Sequence, residues 1–173
     1  MPSTGNVFPT VAASVDRAAA TAWTNPGNVV SDNASDATVV VPSDYLVCSS
    51  FGFVIPDMAV ITGVTLRAEC SESGTGTTDP IAQLITSTTP TLIGTTNTWN
   101  VSGTGKVIAT EGGVNVLWGT TTLTPAVVKD PGFGVAIWAT DTTNTLAIDF
   151  VTLAVEFAFP DVTFPSTGWA VAR

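Results

Sequence analysis

Histidine is absent from this 173-residue chain, and that absence removes most familiar hydrolytic chemistry. Neither a Ser-His-Asp nor a Cys-His arrangement can be assembled without an imidazole. The single Tyr45 and the scattered lysines offer no obvious base. Paired carboxylates are the other route, through glycoside hydrolysis. The pair in the most strand-like region, Asp149 and Glu156, is seven residues apart. A period of two puts them on opposite faces of a strand, or far along one face if a bulge intervenes. The run Asp32-Asn33-Ala34-Ser35-Asp36 concentrates oxygen ligands of the kind Ca²⁺ takes. Its spacing fails the EF-hand pattern, and Asx turns use the same residues. Cys48 and Cys70 read as small buried thiols in strands, with a cross-strand disulfide as the alternative. Two cysteines without histidine make a poor metal site. No catalytic, metal or cofactor residue is expected, and the chain is read as a non-enzyme.

Side chains suited to contact are easier to find. Trp99 lies in a polar stretch, and Trp138 falls on the strand face opposite Phe133, Val135 and Ile137. An exposed tryptophan can stack on a sugar ring, but it is also a common anchor of protein interfaces. Interface is the favoured reading and a glycan the alternative. Phe164 and Trp169, in the C-terminal segment, join them as candidate interface or ligand-facing residues. Trp23 and Trp118 read as core. The Asn-x-Ser sequons at Asn33 and Asn100 matter only in a secreted chain.

The elements that must position these residues are strands. Apolar side chains alternate over Val64, Leu66, Ala68 and Cys70, again over Phe133, Val135, Ile137 and Ala139, and again over Val151, Leu153, Val155 and Phe157. Period two over such lengths marks half-buried strands. The last two runs, separated by the polar segment 140–145, are expected to form a hairpin at the centre of the fold. Thr124-Pro125 is a helix start, an N-cap oxygen followed by a proline whose missing N–H costs nothing there. Shorter strands are expected at Ala37–Val41, Tyr45–Ile55, Ile81–Ile85 and Lys106–Thr110, with 95–100 a loop. Met58, Val60 and Ile61 are expected to plug the core. Seven or eight short strands with turn punctuation predict an all-β fold, an antiparallel β-sandwich of jelly-roll-like kind. It would occupy residues 23–159, between an extended N-terminal arm (1–22) and a C-terminal tail (160–173).

Composition narrows the role. Charged residues are 11% of the chain and hydrophobic residues 45%, where soluble domains average about 25% charged. No apolar run approaches the ~20 residues of a membrane helix. Low charge with abundant Thr, Ser, Gly and Ala suits a surface covered by other subunits; a homo-oligomer, trimer or dimer, is expected, though composition does not derive it. Five basic residues against fourteen acidic ones give a net charge of −9. Nucleic-acid binding relies on clustered Lys and Arg to neutralise phosphate, and these are scattered, so no nucleic-acid partner is expected. The N-terminus lacks a basic region followed by an apolar segment, so synthesis in a cytoplasm is expected.

The order of signals also carries a likeness. Trp23-Thr24-Asn25-Pro26-Gly27-Asn28 leads to Asp32 and Ala37; Phe51-Gly52-Phe53-Val54-Ile55-Pro56, Ala59-Val60-Ile61 and Gly63-Val64 follow. Leu117-Trp118-Gly119, Thr124-Pro125-Ala126, Phe133-Gly134-Val135 and Asp149-Phe150-Val151 complete it. From Trp23 to Phe157 the chain resembles small β-sandwich structural proteins of tailed-bacteriophage virions, of decoration or tail type. The resemblance implies a non-enzymatic virion protein assembled in the host cytoplasm, with the major capsid protein or other virion proteins as partners. A capsid decoration (cement) role bridging capsid subunits is the first expectation. A tail, fibre or baseplate module, with a host glycan as its ligand in the fibre case, is the alternative.

Overall fold

A computed structural model describes residues 1–160 apart from 19, 75, 122, 142 and 143. Eleven strands follow one another among them: β1 (Val11–Val15), β2 (Ala37–Val40), β3 (Tyr45–Ser49), β4 (Val60–Ser73), β5 (Thr77–Thr78), β6 (Ile81–Ile85), β7 (Leu92–Thr98), β8 (Val101–Ser102), β9 (Val107–Gly113), β10 (Gly134–Trp138) and β11 (Thr145–Ala158). A 3-10 turn at Pro26–Val30 and one helical turn, α1 (Pro125–Lys129), complete the set. Helix α1 starts as its sequence dictates, with the Thr124 hydroxyl accepting from the Val127 N–H and Pro125 in the first turn.

Two antiparallel sheets face each other, as expected of a β-sandwich. One has the order β1-β3-β10-β6-β7 and the other β2-β11-β4-β9, with β5-β8 as a small third pair. The core lies between them, filled from one side by Leu46, Cys48, Leu84, Val135 and Ile137 and from the other by Val64, Leu66, Ala68, Leu153 and Val155. Each such aliphatic side chain contributes about 1.5–3 kcal/mol when fully buried.

The expected hairpin between the last two alternating runs does not exist. Strand β10 sits in the five-stranded sheet between β3 and β6, whereas β11 sits in the four-stranded sheet between β2 and β4. The connection crosses from sheet to sheet, so both apolar runs face one core from opposite sides. Strand β11 also keeps its apolar face inward across a change of parity. Leu146 and Ile148 point into the core, and after a register shift at Asp149 so do Val151, Leu153, Val155 and Phe157. Without that bulge one of the two runs would face outward. Gly134 allows β10 to lie close to β3, since a Cβ there would fall 1.9 Å from the Cys48 carbonyl oxygen.

Some expected boundaries move. The strand starting at Tyr45 stops at Ser49 because Ser50 and Gly52 take positive φ (58° and 67°), leaving Phe51 and Phe53 in a loop, stacked at 5.5 Å. Residues 92–98, expected to lie mostly in a loop, form β7. Of the three residues expected to plug the core only Ile61 does, while Met58 (71%) and Val60 (53%) are exposed.

The N-terminal segment is extended, as expected, but it does not stand free of the sandwich. Residues 2–7 pair with the end of β11, through bridges Ser3–Glu156 and Val7–Leu153 and bonds such as Thr4 N–H to Val155 O (3.0 Å) and Val7 N–H to Leu153 O (2.8 Å). The chain then crosses to the other sheet, where β1 runs antiparallel to β3 from Val11–Ser49 to Val15–Tyr45. The turn Pro26–Val30 packs against β1, β2 and β11 and buries Val29. One open side of the sandwich is thereby closed by the chain itself.

Candidate interaction surface

Of the four residues singled out from the sequence, the two among the described residues, Trp99 and Trp138, lie in separate clusters and do not form one site. Trp99 was expected to be exposed, but the structure leaves it only 8% accessible, inside the inter-sheet core. The cause is β7: what reads as a polar loop pairs with β6 as far as Thr98 and delivers the ring inward, where its indole N–H is buried without a hydrogen-bond partner. Trp138 does lie on the outer face of its strand, opposite Val135 and Ile137, yet it too is only 8% accessible. Tyr45 meets its ring edge-on at 5.2 Å, and Val15 and Ile81 flank the cluster it forms with Val47, Ile85 and Ala136. Arg17 closes this patch, its guanidinium 6.0 Å from the Tyr45 centroid and its Nε–H donating to Ser43 O (2.9 Å). Neither ring presents the open face that stacking on a sugar requires. Phe164 and Trp169 lie outside the described residues, as does the expected tail from residue 161 on. Trp23 and Trp118 are core residues as expected, their indole N–H groups donating to Asp44 O and Val64 O (2.9 Å each).

The groups weighed for chemistry are committed to the fold. Asp149, at the β11 bulge, is 2% exposed and accepts from Lys106 Nζ at 2.7 Å. The same ammonium is 3.1 Å from Asp36 Oδ1, an ion pair without good hydrogen-bond angles, and 3.2 Å from Glu69 Oε1. One lysine thus ties the approaches to β2 and β9 to β4 and β11. Desolvation opposes the charged forms here. The hydrogen bonds of the cluster outweigh it, raising Lys106 and, with the Asn33 and Ala34 amides, holding Asp149 below the ordinary aspartate value. Glu156 accepts from the Thr65 hydroxyl (3.0 Å), and its other oxygen is buried without a partner. In the suspected calcium loop, Ser35 N–H closes an Asx turn on Asn33 Oδ1 (2.8 Å), and Asp36 faces Lys106. No three His, Cys, Asp or Glu side chains among the described residues are grouped to hold a metal ion.

Cys48 and Cys70 are free and buried. They belong to strands in opposite sheets, β3 and β4, so the cross-strand pairing considered as an alternative is not present. Burial pushes both thiols up, Cys70 to about 12, which leaves no thiolate for nucleophilic work at neutral pH. An open depression of about 290 Å³ is lined by Thr86, Ala126, Val127 and Asp130; its one carboxylate caps the Gly132 N–H at 2.7 Å.

Sequence reading missed the lysine clamp and the buried Glu72–Asn144 contact (3.3 Å). The only available signal was the presence of charged residues inside otherwise alternating apolar strands. Among the described residues, exposed apolar side chains gather at sheet edges and ends as well as in the 50–59 loop. Val60, Val114, Val116 and Phe159 are exposed around the end of the four-stranded sheet where β4 begins and β11 finishes. Val107 and Ile108 are exposed on the edge strand β9. Among the described residues no helix is long and apolar enough to cross a membrane. No protein-family model matches the chain, and no curated protein is significantly similar to it.

Proposed function

We propose that this chain is a non-enzymatic structural protein of a tailed-phage virion, a decoration protein that strengthens the outer shell by bridging capsid subunits. The observation that carries the non-enzymatic part is the commitment of the candidate reactive groups to structural contacts, Lys106, Asp149, Glu156 and both thiols included. The virion setting rests on the resemblance of residues 23–157 to such proteins and on the low charge of the chain. We read the interleaved strand orders, β2-β11-β4-β9 facing β3-β10-β6-β7, as a jelly roll. The acidic balance favours an outward position, because a lining protein would face packaged DNA at a repulsive cost. Bridging would use the exposed apolar end of the sandwich in several modest contacts acting together through effective concentration. The glycan-binding alternative is weakened by the burial of Trp99 and Trp138. Adding the purified protein to shells that lack it tests the role: saturable binding well above that of an unrelated acidic protein is expected, and its absence refutes it. Copy number then separates capsid from tail, hundreds per particle against a few dozen or fewer.

A further inference from the structure

The two open sides of the sandwich are treated differently. On the β1/β2 side, residues 2–7, β1 and the turn Pro26–Val30 cover the sheet edges. On the other side β7 and β9 are, among the described residues, the outermost strands of their sheets; both are largely exposed, but β7 is met by the Trp118 carbonyl at its Thr95 N–H. Exposed edge strands carry unpaired N–H and C=O groups, and proteins that stay monomeric blunt them with Lys, Pro or inward charges. Strand β9 reads Val-Ile-Ala-Thr-Glu-Gly-Gly, with neither Lys, Arg nor Pro. The lysine best placed to guard it, Lys106, has its ammonium engaged by Asp36, Glu69 and Asp149. Val107 and Ile108 are consecutive, hence on opposite faces, and are 43% and 50% exposed. A partner lying on one face of the sheet covers only one of them; a strand running alongside the edge covers both.

We propose that β9 pairs antiparallel with β9 of a second copy about a twofold axis, joining the two four-stranded sheets into one. A second copy fits because the strand is self-complementary. Its regular part ends before Gly112, where φ is +81°, so the pairing centres on Ala109. Ala109 then faces its own copy, Ile108 faces Thr110 of the partner subunit, and Val107 faces Glu111 of the partner subunit. The only charges on the two strands, the Glu111 carboxylates, end up four residues apart, about 14 Å at ~3.4 Å per residue, beyond the ~8 Å screening length at physiological salt. The dimer is a property of the purified chain and does not depend on the virion reading.

The test uses the full chain in solution, by sedimentation and by cysteine cross-linking. The unmodified protein is expected to sediment as a dimer, and Ile108→Lys, which adds the missing edge charge, to weaken association by at least ~10-fold while retaining a cooperative melt. Under mild oxidation Ala109→Cys is expected to form a disulfide-linked dimer, since directly opposed Cα atoms lie ~4.5–5.5 Å apart, within the span a disulfide bridges. Val107→Cys, about 14 Å from its own copy by the same register, is expected not to. Cys48 and Cys70 are buried and do not compete. A monomer at all concentrations, an Ile108→Lys dimer as tight as the original, or cross-linking at 107 but not at 109 each overturns the proposal.

Discussion

Replacing Lys106 by methionine removes one cation from three carboxylates. Methionine keeps most of the aliphatic stem, so the loss is chiefly electrostatic. Without the ammonium, Asp149 keeps only neutral donors, the Asn33 amide at 3.4 Å and the Ala34 amide, which offset only part of the cost of its buried charge. Breaking a fully buried pair costs about 3–5 kcal/mol, and an exposed pair is worth about 0.2–1 kcal/mol. Asp149 is 2% exposed, but Glu69, Asp36 and Lys106 are 20%, 29% and 36% exposed, which places the expected loss at about 2–3 kcal/mol. For a chain of this size that lowers Tm by roughly 4–12 °C. The pH dependence carries a definite sign. Asp149 is held below its ordinary value, so its contribution is present above about pH 4 and is lost as pH falls through the folded-state value. Lys106 is raised, so its contribution is complete below about pH 10 and is lost as pH rises through the folded-state value. Protonating the unpaired, buried Asp149 relieves the variant, so its deficit narrows between neutral pH and pH 4, and Asp149→Asn in the same background recovers part of the loss. Thermal melts at several pH values measure both. A deficit under ~1 kcal/mol at pH 7, or one that stays constant on acidification, would show that the clamp does not stabilise the fold.

Deleting residues 1–15 strips hydrogen bonds from both sheets and is expected to cost more than ~3 kcal/mol at 0.5–1.5 kcal/mol per bond; an unchanged Tm would restore the picture of a detachable arm. The thiols of Cys48 and Cys70 are expected to resist aromatic disulfide reagents in the native state at pH 8 and to react fully in denaturant, and rapid native labelling of either contradicts their burial. Gly134→Ala is expected to lose at least ~2 kcal/mol, because the added methyl meets the Cys48 carbonyl that β3 cannot move without breaking its ladder; an equal stability by denaturant titration refutes that close approach.

Much of this fold is legible along the chain. Alternation over Val64–Cys70 and Val151–Phe157 fixes which side chains face inward, because the two-residue period of a strand is a local property of the backbone. The cap of α1 is legible for the same reason: a hydroxyl at Thr124 and a ring at Pro125 act within one turn. The all-β class follows from the number of such segments and the turn residues between them. Which strands become neighbours is not local. Phe133–Ala139 and Val151–Phe157 read as hairpin partners, but they enter different sheets, and only the packing of the two sheets decides that. The same competition places residues 2–15 on the sandwich edges and turns Trp99 inward. It also packs Trp138 beneath Tyr45, and brings Lys106 to carboxylates 37 to 70 residues away in sequence. Sequence by itself therefore determined most of the strands, their inward faces and the absence of any imidazole-based arrangement. Tertiary structure decided which edges are closed and which remain open, because sheet pairing and burial are settled between segments that the local pattern cannot relate.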